Sequence, residues 1–319
     1  MHHSRGLLVA ASAAALVAMG AAAGAWSEAG HRLIGLVAES HLDESRALAE
    51  VRRILKPKET LADAAVWPDT IKDPLYEDDD SAAFKLEHPA HDTYHYANLP
   101  FQGDRYAPDV PGARPMDIVE TMRASIRVLR GQSTVLTPRE ALRLLAHLAG
   151  DIHQPLHTAN AFISASSPPR FIVPAGPTGW RSTLGGNALV YGPQDRFNLH
   201  SYWDSHAVNI SMRQEDVITY SNRLIRDVPV APAWRDTGDP DTWPARWVAD
   251  ALVLSKDVHD GIVITDYLGP DDAKRTAHRW RIQQPAAYDD MARSRVPVQL
   301  AKGGYRLAAM LRAIWPERR

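Results

Sequence analysis

Apolar residues recur at helical spacing along most of this chain. Between Ala141 and His157, in ALRLLAHLAGDIHQPLH, the positions Leu142, Leu144, Leu145 and Leu148 mark an amphipathic helix. Thr137 caps its start. Pro155 lacks the N–H that would bond to the carbonyl of Asp151, so a kink or an end is predicted there. The same signals predict helices over Trp26–Leu42 with Ser27 as N-cap, over Asp43–Lys56 capped by Asp43, and over Leu61–Trp67. Further helices are predicted over Met116–Arg130, Asn198–Met212, Asp216–Asp227, Pro240–Asp260, Asp271–Gln284 and roughly Val296–Ile314. Asp73–Ala90 reads as a loop whose acidic run, Glu77–Asp80, is solvated. Thr93–Leu99 reads as extended or as a helix edge. Thr158–Leu184 is rich in Pro, Gly and Ser, with short strands expected at Arg170–Val173 and, just beyond, at Asn187–Tyr191. With no internal repeat and no linker, the expected architecture is one mostly helical, all-α domain over residues 26–319.

Composition narrows the chemistry. The 319 residues are 45% hydrophobic and 23% charged, with a formal charge of −2, as in soluble globular proteins. There is no cysteine, which excludes disulfides and thiolate metal sites. A metal would be held by His, Asp, Glu or backbone, which points to zinc, manganese or magnesium. No basic footprint for nucleic acid is present, so such a substrate would have to be attracted locally, for example by bound cations. His2, His3 and Arg5 precede an apolar run, Gly6–Gly20, and Ala23-Gly24-Ala25 is a small-x-small cleavage site. Residues 1–25 therefore read as a signal peptide, too short and too rich in Ala and Gly for a membrane anchor. The mature chain would begin at Trp26 and be periplasmic or secreted, with no later membrane span.

Candidate chemistry sits on the central helix. His147 and Asp151 are four residues apart and leave the same face. The break at Pro155 lets His157 swing to that side, and a His, an Asp and a His converging there outline a metal site. Taken alone, His147 and Asp151 also fit a hydrogen-bonded buried pair. His200 and Asp204 repeat the spacing in NLHSYWDS. His88 and Asp92 repeat it too, but in a polar Pro-containing loop, where the spacing reads as chance. Asp69 in AAVWPDTIK, His95 in YHYANLP and His31 are further candidates. Three acids and five histidines would support more than one divalent ion. His153 lies on another helix face and reads as structural. His41, His88, His91, His206, His259 and His278 read as surface or hydrogen-bonded core.

WSEAGH at Trp26, the WPD of Trp67–Asp69, HYANLP, HLAGDIHQPLH, GGN and NLHSYWD occur together and in order. With the tail QLAKGGYRLAAMLRAIW, this set resembles the S1/P1 nuclease family of zinc-dependent single-strand nucleases and 3′-nucleotidases. The resemblance implies a mostly helical single domain with a short β-hairpin, distantly similar to zinc phospholipases C, and three zinc ions. It implies that Asp69, His95, His147 and Asp151 hold one zinc, with Asp151 bridging to a second. That second zinc would take His31 and the amino nitrogen and carbonyl oxygen of Trp26. The third would take His157, His200 and Asp204. An α-amino group titrates near roughly 7.7–8.0, so it yields its proton to a metal more easily than a lysine does.

The implied reaction hydrolyses single-stranded DNA or RNA to 5′-mononucleotides, with Asp69, Lys72 and Asp151 as catalytic residues. Lys72 stands where the family commonly has an arginine on phosphate, and lysine lacks the bidentate fork. Tyr96, Asn98 and Asn187, with Lys72, would bind substrate, Tyr96 by stacking on a splayed base. The loop before Gly185 lacks the charged pair that many members carry ahead of GGN. No protein partner is implied. Two other readings stay open: a zinc-dependent phospholipase C-like enzyme, and a non-catalytic periplasmic zinc-binding protein.

Overall fold

A computed structural model describes residues 26–176, 178–270 and 278–317. The proposed signal peptide, residues 1–25, lies outside the described residues. The chain opens with α1 (Glu28–Leu42), α2 (Arg46–Ile54), α3 (Leu61–Ala64), α4 (Trp67–Thr70) and α5 (Ser81–Glu87). Next come β1 (Leu99–Pro100), α6 (Ile118–Leu129), α7 (Pro138–Asp151), α8 (Pro155–Thr158) and β2 (Ala159–Asn160). The Pro/Gly-rich stretch carries β3 (Phe162–Ser164), β4 (Phe171–Ile172) and β5 (Trp180–Ser182), and β6 (Leu189–Tyr191) and β7 (Phe197–Asn198) follow. The remainder is α9 (Leu199–Ser201), a π turn over Tyr202–His206, α10 (Ala207–Met212), α11 (Val217–Asp227), α12 (Trp243–His259), β8 (Val263–Pro270), β9 (His278–Gln283) and α13 (Tyr288–Ile314).

The protein is mostly helical, as expected, and α7 is its axis. Every residue of α7 from Glu140 to Asp151 is buried, with α1, α2, α3, α4, α6 and α13 packed around it. A capping box starts the helix: Thr137 accepts from Glu140 N, and the Glu140 carboxylate accepts from Thr137 N. Neighbours of α1 come close where side chains vanish. A Cβ on Gly35 would stand 2.4 Å from Ala62 N, and one on Gly304 would stand 2.5 Å from Val37 Cβ.

Several expected elements are placed differently. The central helix ends at Asp151, and Pro155 opens α8 at a position where its missing N–H costs nothing. The second helix starts at Arg46, because Asp43 ends α1 at φ 47° and Ser45 caps α2 by accepting from Leu48 N. Leu61–Trp67 splits in two, so Asp69 lies within α4 rather than past a helix. Asp73–Ala90 contains α5, anchored by buried Phe84. In the acidic run Glu77 and Asp79 are exposed as expected, but Asp78 and Asp80 are not free in solvent. Asp78 accepts from Asp80 N and Ser81 N, and Asp80 pairs with Lys56, Arg139 and Arg143.

Instead of one hairpin, three small sheets form among the described residues: β1–β2, β4–β3–β5 and β7–β6–β9–β8. The expected Asp271–Gln284 helix is absent where the structure describes it. His278–Gln283 is a strand, since Trp280 and Ile282 turn inward between outward Arg281 and Gln283, a period of two. The C-terminal helix begins earlier than expected, at Tyr288, where Asp289 and Asp290 in its first turn suit the helix N-terminus. No helix among the described residues is long and apolar enough to cross a membrane.

Candidate metal centre

Five histidines and three aspartates from five helices, the π turn and the turn before β1 meet beside the end of α7. His147 and Asp151 leave one face of α7, with His147 Nε2 3.0 Å from Asp151 Oδ2. The turn before β1 brings His95, whose Nδ1 stands 2.8 Å from His147 Nε2 and 3.1 Å from Asp151 Oδ2. From α4 comes Asp69, 3.7 Å from both His95 Nδ1 and His147 Nε2. His31 on α1 stacks on His147 at 3.9 Å between ring centres, its Nε2 3.3 Å from Asp151 Oδ1 and 3.9 Å from Asp69 Oδ2. A third group joins His157 of α8 to His200 of α9 and Asp204 of the π turn. There His157 Nε2 is 3.9 Å and His200 Nε2 3.4 Å from the Asp204 carboxylate. Trp26 is buried next to this assembly. Its indole donates to Gly150 O at 2.9 Å, and Ser27 N donates to Asp204 O. Gly150 must lack a side chain, since a Cβ there would stand 2.9 Å from His31 Nδ1.

Backbone carbonyls aim the imidazoles. His147 Nδ1 faces Ala65 O at 2.6 Å, His157 Nδ1 faces His95 O at 2.8 Å, and His200 Nδ1 faces Gly185 O at 2.8 Å. A carbonyl only accepts, so each Nδ1 carries a proton and Nε2 is the nitrogen turned to the interior. Gln154, which sequence reasoning missed, donates from Nε2 to Asp204 Oδ1 at 2.6 Å and fixes that carboxylate. Nothing in the hydrophobic periodicity marked Gln154.

The electrostatics are those of ligands. Burial lowers the pKa of His31 and His157, and takes His95 and His200 down to about 3, so these rings are neutral at neutral pH. Burial alone would raise Asp151 and Asp69, but the charge of His147 and its neighbours outweighs it and holds both below the usual carboxylate range. Burial drives the Asp204 carboxyl well above that range, with the charges of Asp69 and Asp151 adding to it against the opposing effects of Gln154 and Lys72. Both nitrogens of His31, Nε2 of His157 and Oδ1 of Asp151 are buried without a hydrogen-bond partner among the described residues. Buried polar atoms left open are costly. A donor set of imidazole and carboxylate, with those atoms turned inward, fits divalent cations in three His/Asp groups.

A sequence model of the family described as S1/P1 Nuclease matches residues 26–316. The chain belongs to the S1/P1 nuclease family. Among relatives, Endonuclease 2 of Arabidopsis thaliana is 24% identical over 310 residues, covering 91% of this chain and 90% of that protein. Endonuclease 4 of the same plant is 26% identical over 312 residues, covering 91% and 89%. Nuclease S1 of Aspergillus oryzae is 26% identical over 310 residues, covering 90% of each chain. The protein is thus a nuclease, a hydrolase of phosphodiester bonds, and its substrates are nucleic acids.

Beside the metal groups this nuclease has a pocket of about 270 Å³. His95, His157 and His200 form its buried floor. Lys72, Tyr96, Asn98 and Asn187, the residues singled out for substrate, all line it and are half-buried. Lys72 Nζ lies 2.7 Å from Asp69 Oδ1. Arg114 and Asp92 also line the pocket. Arg114 had no signal in the sequence, and Asp92 was set aside with His88. His153 turns away, its Nδ1 facing Ala149 O at 2.8 Å and its Nε2 facing Arg306.

Proposed function

We propose that this nuclease is zinc-dependent, acts outside the cytoplasm, hydrolyses single-stranded DNA or RNA to 5′-mononucleotides, and also dephosphorylates 3′-nucleotides. One observation carries the reading: His157, whose Nε2 is buried with no hydrogen-bond partner among the described residues, joins His95 and His200 on the floor of a pocket whose wall carries the Tyr96 ring. Asp69, His95, His147 and Asp151 would hold one zinc. His31 and the Trp26 amino and carbonyl groups would hold a second, shared through Asp151, and His157, His200 and Asp204 a third. Bound divalent ions lower the pKa of water toward about 7 and stabilise the attacking and leaving oxygens of a phosphodiester. Asp69 sits between Lys72 and the histidines, so its carboxylate is oriented from two sides. Gln154 keeps Asp204 turned to the third group. Tyr96 offers a stacking face that a duplex, whose bases are already stacked, cannot use. Asn98 and Asn187 offer amide donors and acceptors for a base edge.

The test is nucleotide release from single-stranded DNA, duplex DNA and a 3′-nucleotide, with and without chelator, alongside zinc content by elemental analysis. Chelator-sensitive turnover of the first and third, slow turnover of the duplex and close to three zinc per chain are expected. Hydrolysis of phosphatidylcholine in their place, or turnover unchanged without metal, overturns the reading.

Maturation after Ala25 belongs to the same proposal. A free Trp26 amine and its carbonyl can chelate one ion in a five-membered ring, whereas an amide nitrogen cannot bind zinc at neutral pH. Protein made with a retained Met before Trp26 should bind less zinc and turn over far more slowly than protein starting at Trp26. Equal zinc and equal turnover, with mass spectrometry showing the Met still attached, would sink this.

A further inference from the structure

Arg114 stands at the exposed rim of the pocket, and its position is built rather than incidental. Asn98 N donates to Gly112 O, and Gly112, at φ +96°, packs so closely that a Cβ would lie 1.9 Å from Asn98 O. Two residues on, Arg114 N donates to Asp117 Oδ2 at 3.0 Å, the carboxylate that caps α6. The turn is therefore held from both sides against the wall that carries Tyr96 and Asn98. Among the described residues the hydrogen bonds of Arg114 are backbone bonds with Asp117, and its guanidinium has no partner. Lys72 differs, because its ammonium is committed to Asp69 of α4.

We propose that Arg114 forms a second phosphate subsite, which takes the 5′-phosphate of the nucleotide whose 3′-phosphate reaches the metal groups. The inference rests on the nuclease reading above. From floor to rim the pocket runs from buried His95, His157 and His200, past half-buried Tyr96 and Asn98, to exposed Arg114. A nucleotide with its base against Tyr96 and its 3′-phosphate inward presents its 5′-phosphate outward. The guanidinium fork matches a phosphate with two parallel hydrogen bonds, which Lys72 cannot supply. Asp92, 73% exposed on the same rim and 3.6 Å from His91, repels an anion. The phosphate is thereby confined to the Arg114 side.

The experiment compares KM for a nucleoside 3′-monophosphate with KM for the matching nucleoside 3′,5′-bisphosphate, using zinc-loaded protein starting at Trp26. The wild type should favour the bisphosphate by roughly 10-fold in KM, with kcat little altered, as for a hydrogen bond to a charged group. Arg114→Ala should bring that ratio to about one, and Arg114→Lys should restore part of it. Binding of a single-stranded oligonucleotide with hydrolysis-resistant phosphorothioate linkages to the zinc-loaded protein, followed by fluorescence anisotropy, should show a salt slope smaller by about 0.7 in Arg114→Ala. A wild-type ratio of one, or an unchanged ratio in Arg114→Ala, overturns the subsite. Absence of turnover on every phosphate substrate overturns the nuclease reading instead, and the salt slope then decides the subsite alone.

Discussion

Arg143 and His147 lie one turn apart on α7, both buried, and their surroundings differ in kind. The Arg143 guanidinium bonds Glu59 through Nε at 2.7 Å and Nη2 at 3.1 Å, bonds Asp80 through Nη1 at 2.8 Å, and lies over the Trp67 ring. Its charge is matched and its donors are directed. Around His147 and Asp151, by contrast, carboxylates and imidazoles crowd together while the His31 nitrogens and Asp151 Oδ1 find no hydrogen-bond partner among the described residues. Burying a charge is costly unless it is paired and hydrogen-bonded. One end of the helix meets that demand with side chains, and the other is composed to meet it with cations. Arg143 holds α7 to α5 and to the turn before α3, which sets the height at which His147 and Asp151 face α1 and α4.

The largest expected effect tests the open end. Prolonged chelation should abolish hydrolysis and lower the melting temperature by many degrees, because the inward-facing atoms of His31, His157 and Asp151 then lose the ions that would satisfy them. An unchanged melting temperature would break the contrast with Arg143. His157→Ala should lose zinc and nearly all activity, whereas His153→Ala should keep the full metal count, since His153 bonds Ala149 O and faces Arg306. Equal zinc loss in the two variants, by elemental analysis, would erase that distinction.

A smaller effect tests the closed end. Arg143→Met strands Glu59 and Asp80 and should cost about 3–5 kcal/mol of stability in denaturant unfolding. Zinc per folded molecule should hold. Burial would raise the Asp80 carboxyl, but its bonds to Lys56 and Arg143 outweigh that and keep it below the usual range. A depressed carboxylate contributes stability that is present above its unfolded value and lost as pH falls through its folded one. The gap between wild type and Arg143→Met should therefore narrow as pH drops below about 4. A loss of zinc matching the loss of stability would mean that the two ends are one unit. Smaller again, Tyr96→Ala should raise KM for single strands roughly 5–100-fold, equivalent to a stacking contact of about 1–3 kcal/mol, at unchanged zinc content. Unaltered kinetics would place the base elsewhere.

What the sequence determined by itself is local. The spacing of His147 and Asp151, the Thr137 cap, the lack of thiolates and the period of α7 are relations between residues within one or two turns, where periodicity and capping act directly. Motif order carried the family. Local signals misplaced Pro155, which opens a helix, and the acidic run, whose Asp78 and Asp80 are bound to the rest of the molecule. They also misread His278–Gln283, whose inward Trp280 and Ile282 are decided by pairing with β6 and β8. Only the tertiary structure brought His31, Asp69 and His95 to one point, assigned carbonyls of Ala65, His95 and Gly185 to three imidazoles, and set Arg114 on the pocket rim. Those contacts join residues far apart in the chain. They are fixed by how whole helices pack on α7, and the packing energy of a helix leaves no mark at the distant position it delivers.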